Sequence, residues 1–311
     1  MIGAADRSRG LQQGVVKVEG KRSPHWVWLL SFALLSCAAR PGQRAREAMI
    51  LAEAGQTKAA LELVERHLEK EPRAALERRL AVRLSGSVGD LARAERHAHA
   101  LERDLGASSP VPALELGHAL ELSHRYEEAL AAYDEAGRAA PSDPAGPRTG
   151  GLRAAAWGEP ELAEPRLREA VRRESRDARV WHALGLVRAR LGDLDGAERA
   201  YRSGLAADPR GTDNRIGLAT LGLLRDDPRA VLREYEAVLE VAPRFADAQL
   251  GRSWALVRLG RFEEAARALD LAERLGADRQ SLVRQRRWLL SERAANQGGR
   301  SPRNSVRVTT P

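Results

Sequence analysis

The chain has 311 residues, with 51 Lys and Arg against 43 Asp and Glu for a formal charge of +8, and a single cysteine. The excess charge sits at the ends: residues 1–36 carry five basic and two acidic side chains, residues 293–311 carry four Arg and no acid, and between them 42 basic face 41 acidic residues. So balanced a body gives no indication of the clustered basic face of a duplex-binding protein, and one cysteine without a His-Glu-x-x-His run gives the common zinc sites little support.

Near the start, Lys17, Lys21 and Arg22 precede an apolar run from Trp26 to Leu35. That run is shorter than the roughly 20 apolar residues a membrane helix needs. Basic residues, a short apolar segment and a small residue before a cleavage point describe a secretory signal over 1–36. The run ends Leu34-Leu35-Ser36-Cys37. With leucine three places and serine one place before the cysteine, it resembles the lipobox of bacterial lipoprotein signals, although Leu35 is bulkier than the usual residue there. The resemblance implies that the Cys37 thiol carries diacylglycerol, that the chain is cut before it and that the new amino group is acylated, leaving 37–40 as a lipidated N-terminus. Two or more acyl chains anchor stably where one does not. Ala38 in place of aspartate implies the outer membrane, on its periplasmic face, rather than retention in the inner one. The stretch before Lys17 is long for such a signal, and lysine occurs only at 17, 21, 58 and 70, the bias of a GC-rich genome. The expected translation start therefore lies further in, at Val15, Val16 or Val18.

From Pro41 the chain repeats. Ala60, Ala94, Ala129, Ala163, Ala197, Val231 and Ala265 anchor seven copies of one 34-residue template, at 41–74, 75–108, 110–143, 144–177, 178–211, 212–245 and 246–279, with Ser109 the one insertion. A period of 34 with a small residue in each half marks stacked helical hairpins. The eighth position is small where the two helices must lie close: Ala48, Gly117, Gly151, Gly185, Ala219 and Ser253, with Val82 the exception that predicts looser packing in the second unit. The turn reads Gly55, Gly89, His124, Gly158, Gly192, Asp226 and Gly260, residues that tolerate a helix stop. Pro72, Pro141, Pro209 and Pro243 end second helices, since proline cannot continue one. Pro165 lies inside a second helix and predicts a kink in the fourth unit. Tyr133, Tyr201 and Tyr235, with Val64, Leu167 and Leu269 equivalent, read as core knobs between hairpins.

In the unit 178–211, Trp181, Leu184, Gly185, Gly192-Asp193, Ala197, Tyr201, Gly204 and Pro209 resemble the tetratricopeptide repeat position for position, with Arg188 replacing the usual tyrosine. The resemblance implies an all-α fold, a right-handed α-solenoid of about seven tandem helix-turn-helix repeats. Such an array is one structural domain in which each unit contacts mainly its neighbours. Leu282, Val283, Trp288 and Leu289 recur at helical spacing and predict a capping helix over 280–295. The stretch 296–311 has no apolar period and reads as a disordered basic tail.

No catalytic constellation accompanies the repeats. His97 and His99 stand two apart on a helix and point to nearly opposite sides, so they do not chelate one metal. There is no phosphate loop and no strand pattern to carry a nucleophile elbow. The chain reads as a non-enzyme that needs no cofactor, metal, nucleic acid or small-molecule substrate. Function is then expected from the concave wall of stacked first helices. The resemblance places helix positions two, five, nine and twelve on that wall. They include Arg79, Arg83, Leu114, His118, Glu121, Arg148, Leu152, Arg179, His182, Leu186, Ile216, Thr220, Leu223, Asp247, Leu250, Trp254 and Val257. The expected partner is an extended or helical peptide, its acidic part toward Arg79, Arg83, Arg148 and Arg179 and its apolar anchors near Leu223, Leu250 and Trp254, with His118 and His182 also lining the groove. A lipid-anchored repeat protein resembles the tetratricopeptide pilotins, which implies an envelope-assembly partner of pilus, secretin or outer-membrane biogenesis. The other reading is a cytosolic or inner-membrane-tethered adaptor in signalling or complex assembly.

Overall fold

A computed structural model describes residues 42–174 and 176–297. The signal segment, Cys37 and most of the basic tail lie outside the described residues. Within them every element is an α-helix. In chain order these are α1 (Gln43–Glu53), α2 (Thr57–Lys70), α3 (Ala75–Ser87), α4 (Leu91–Leu105), α5 (Val111–Leu122), α6 (Tyr126–Ala139), α7 (Ala145–Trp157), α8 (Pro160–Arg173), α9 (Ala178–Arg190), α10 (Leu194–Ala207), α11 (Thr212–Leu224), α12 (Pro228–Val241), α13 (Ala246–Arg258), α14 (Phe262–Arg274) and α15 (Arg279–Gln297). No helix among them is long and apolar enough to cross a membrane.

The hairpins close by one device. All seven predicted turn residues adopt left-handed backbone, from φ 79° at Gly55 to 74° at Gly260, and His124 (60°) and Asp226 (53°) do so despite their side chains. The residue after each turn returns its N–H to a carbonyl five residues back, as Gln56 does to Leu51 and Asp193 to Arg188, each at 2.9 Å. This is the Schellman closure, which satisfies carbonyls that the helix end leaves open. Some starts are capped by aspartate: Asp90, Asp193 and Asp227 accept from the backbone of α4, α10 and α12. The four predicted prolines each lie two residues beyond the ends of α2, α6, α10 and α12.

Packing follows the 34-residue period. An added Cβ would collide with the Tyr133 ring at Gly117 and with the Tyr201 ring at Gly185, and at Gly151 it would stand 2.8 Å from Leu167. Tyrosine rings also close against the following unit, where Gly217 meets Tyr201 and Gly251 meets Tyr235. Each knob thus sits in a slot that only missing side chains provide. Val82 is accommodated fully buried, in one cluster with Ala94, Ala98 and Leu101. α8 continues through Pro165 to Arg173 as a single helix.

Each first helix meets its own second helix and the second helix of the preceding unit; α3 also meets α5, α7 meets α9 and α9 meets α11. No second helix makes a comparable contact with the next second helix. The stack therefore closes on the side of the first helices and opens on the other. Long ion pairs span the open side, Arg93 to Glu65 at 3.5 Å and Arg166 to Asp134 at 2.6 Å.

Candidate functional site: the wall of first helices

The wall starts with a buried charge cluster. Glu115 on α5, 1% exposed, accepts from Arg79 at 2.7 Å and from Arg83, both on α3. Burial alone would raise its pKa, but Arg83, His118 and Arg79 outweigh that and hold the carboxyl far below the usual carboxylate range. The His118 ring lies edge-on to Tyr133, with centroids 5.5 Å apart, and burial pushes its pKa down. Tyr133 donates to Glu121 at 3.0 Å, and Arg153 stands 3.2 Å from the same carboxylate. Burial raises the pKa of Glu121, against the lowering pull of Arg153 and Tyr133. Close approach of backbones makes the cluster possible: a Cβ on Gly86 of α3 would collide with Ala119 of α5, and Ser123 donates to the Gly86 carbonyl at 2.9 Å.

This changes the expected basic wall. Arg79 and Arg83 are turned onto an internal anion, so their charge serves the seam between the second and third units. Arg148 and Arg179 both approach Asp177, at 3.8 and 3.3 Å. Arg179 nonetheless remains 86% exposed and one carboxylate faces two guanidiniums. His182 is half-buried against the Tyr201 ring at 5.8 Å, and burial lowers its pKa. At the other end Trp254 stacks on Trp288 of α15, centroids 6.2 Å apart, with Arg258 over its ring. The Leu250 carbonyl accepts from Gln285, and Ser253 donates to Gln285 at 2.7 Å. Val257 is buried in the core, while Leu223 and Leu250 are half-buried beside it. Trp254 and Leu250 are thus covered in part by the capping helix.

What stays open is the middle. Leu152 on α7 and Leu186 on α9 occupy the same ninth position of adjacent units and are 37% and 43% exposed. Thr220 continues the row on α11, also exposed. At the second position of successive units the exposed charge changes from Arg179 to Asp213 and Asp247. Sequence reasoning missed Glu115 and Arg153 as members of the wall: a lone Glu at position six resembles any solvated helix residue. The available signal was periodic, since Glu115 follows Arg79 by 36 residues and Arg83 by 32, about one repeat. Among the described residues no three His, Cys, Asp or Glu side chains gather as a metal site would require.

Comparison with known proteins gives the class of repeat. The tetratricopeptide-repeat family model matches residues 149–212 and 225–279. The YrrB crystal structure, described as a TPR protein with an unusual peptide-binding site, superimposes with a TM-score of 0.52 at 20% identity, over 61% of this chain and 96% of that one. The C-terminal part of a TPR-repeat protein from Cytophaga hutchinsonii gives 0.58 at 15% identity, over 76% and 98%. The pilF protein of Pseudomonas aeruginosa gives 0.48 at 18%, over 60% and 87%, which carries no functional argument. No curated protein sequence matches. At these identities the likeness is one of fold.

Proposed function

We propose that this chain, an all-α solenoid built of tetratricopeptide repeats, is a non-catalytic interaction scaffold that receives a peptide or helix of a partner protein on its wall of first helices. The observation that carries the reading is the exposed Leu152–Leu186 row at the centre of that wall. Apolar side chains left open in a concavity, beside Arg179 on one side and Asp213 and Asp247 on the other, suit a ligand with apolar anchors and charges of opposite sense at its two ends. The basic end of the site is centred on Arg148 and Arg179, because Arg79 and Arg83 hold Glu115. A Leu152→Glu, Leu186→Glu double variant should lose the partner recovered with the wild-type chain while keeping its helical content. Equal recovery by both would refute the placement.

The N-terminal residues support a lipid-anchored position in the bacterial envelope through Cys37 and an envelope-assembly partner of pilus, secretin or outer-membrane biogenesis. A cytosolic or inner-membrane adaptor is the reading this must displace. Intact mass and membrane fractionation beside a Cys37→Ser variant separate the two. A lipid-shifted mass beginning at Cys37 and lost in the variant supports the envelope reading; an uncleaved or soluble product supports the adaptor.

A further inference from the structure

The last helix is the first half of an eighth unit. One period beyond Gln249, Ser253 and Leu256 of α13 lie Val283, Arg287 and Leu290 of α15. In α13 these three positions are buried, Ser253 also donating to Gln285 of α15, and in other units the eighth and eleventh positions face the unit's own second helix, as Gly185 does Tyr201 and Gly222 does Val231. In α15 no second helix follows within the described residues, and Val283 and Leu290 are 42% and 64% exposed, with Arg287 exposed between them. Spaced four and three residues apart, they form one stripe along the helix. The opposite side of α15 is well held: Leu282 and Leu289 are buried, and Asp278 caps its start by accepting from Ser281 at 2.7 Å. Arg286 reaches Asp270 at 2.7 Å and Glu273 at 2.9 Å, and Arg293 reaches Glu263 at 3.0 Å. Arg287 makes no ion pair among the described residues.

We propose that this stripe is a docking slot for an acidic amphipathic helix of a partner protein, which completes the eighth hairpin in trans. The site is separate from the wall of first helices and stands or falls independently of it. Charge selects the occupant. Residues 298–311 carry Arg300, Arg303 and Arg307 and no acid, so their charge is of the same sign as that of Arg287 and Arg284 and does not complement it. Pairing with α15 of a second copy sets the same arginines against each other. An acidic helix meets both.

The register also predicts the sequence of that helix. In complete units the eleventh position of the first helix meets the anchor of the second, as Gly222 meets Val231, and the eighth meets the residue four further on, as Gly185 meets Tyr201. The docked helix therefore carries a small residue over Leu290 and, four residues later, an acid opposite Arg287. Arg287 stands where complete units carry a small residue or valine, so an acid rather than a bulky knob belongs there.

The probe is a fluorescein-labelled peptide of residues 260–277 bearing Leu269→Glu, which reproduces α14 with the required acid. Titrated with the full chain, it should bind saturably by anisotropy, at least about tenfold more weakly to Arg287→Glu, and regain affinity when the peptide instead bears Leu269→Arg. Leu290→Ser, at an exposed position, should also weaken binding. Absence of saturable binding, or equal binding to the wild type and Arg287→Glu, would overturn the proposal. So would Arg287-dependent attachment to phosphatidylglycerol vesicles without peptide binding, which would assign the stripe to a membrane surface. A dimer in sedimentation that Leu290→Ser abolishes would assign it to a second copy.

Discussion

Glu115 shows how one side chain redefines a wall. It is enclosed by Arg79, Arg83 and His118, and a buried ion that loses its partner is costly. Glu115→Gln keeps the shape but removes the anion from two guanidiniums, and should cost about 3 kcal/mol in urea unfolding at neutral pH. The folded carboxyl titrates below its unfolded value of roughly 4.3, so the unfolded chain binds more protons in that interval. The stabilisation is thus complete above the unfolded value and is lost as pH falls through the depressed folded one. The gap between wild type and Glu115→Gln should narrow toward about pH 3; a gap independent of pH would contradict the assignment. His124 gives the opposite sign. It holds φ 60° where five other units use glycine, and left-handed backbone costs a side-chain-bearing residue about 1 kcal/mol. His124→Gly should therefore raise the melting temperature even though it removes the His124–Tyr126 contact at 3.0 Å. The strained turn was legible in the repeat alignment, because position alone demands the conformation. The Glu115 cluster was not, because its partners come from another unit and no spacing within α5 reveals them.

The helices themselves were the most legible level. Small residues at the eighth position, turn residues and terminal prolines are local statements, and each has its local counterpart in the backbone or in a knob such as Tyr201. One feature needed the assembled units. Arg173 of α8 donates to the carbonyls of Gly137, Ala140 and Asp143, at 3.1, 3.2 and 2.9 Å, closing the end of α6 in the preceding unit. A guanidinium on helix-end carbonyls satisfies acceptors that the helix leaves open. Arg173→Ala should cost about 1.5–3 kcal/mol and show first as faster amide exchange near the end of α6. Pro165 has no N–H to return to the Glu161 carbonyl, yet α8 runs on to Arg173. Pro165→Ala should stabilise the chain, by up to about 3 kcal/mol, in thermal melts; a destabilisation would mean that the proline ring packs productively beside Pro147 and Arg166.

In the whole molecule, contacts run within each unit and between neighbouring units, so the array has no single core to lose. Truncation after Ala277 uncovers Trp254 and the Gln285-bound face of α13. Exchange protection should fall in the seventh unit while the third to fifth stay protected, as nearest-neighbour coupling requires; uniform loss would contradict it. The solenoid was legible from its period, but the division of its wall was not, because the same 34-residue repeat places arginine on a buried glutamate in one unit and leucine in the open in another. The central claim is that partners are received at that open leucine row. It is tested most directly by placing a photo-crosslinking amino acid at Leu186 and, in a separate chain, at Arg168 on a second helix, then irradiating cells of the native host. The account predicts a discrete partner adduct from position 186 and none from 168; adducts from 168 alone, or equal adducts from both, would contradict it.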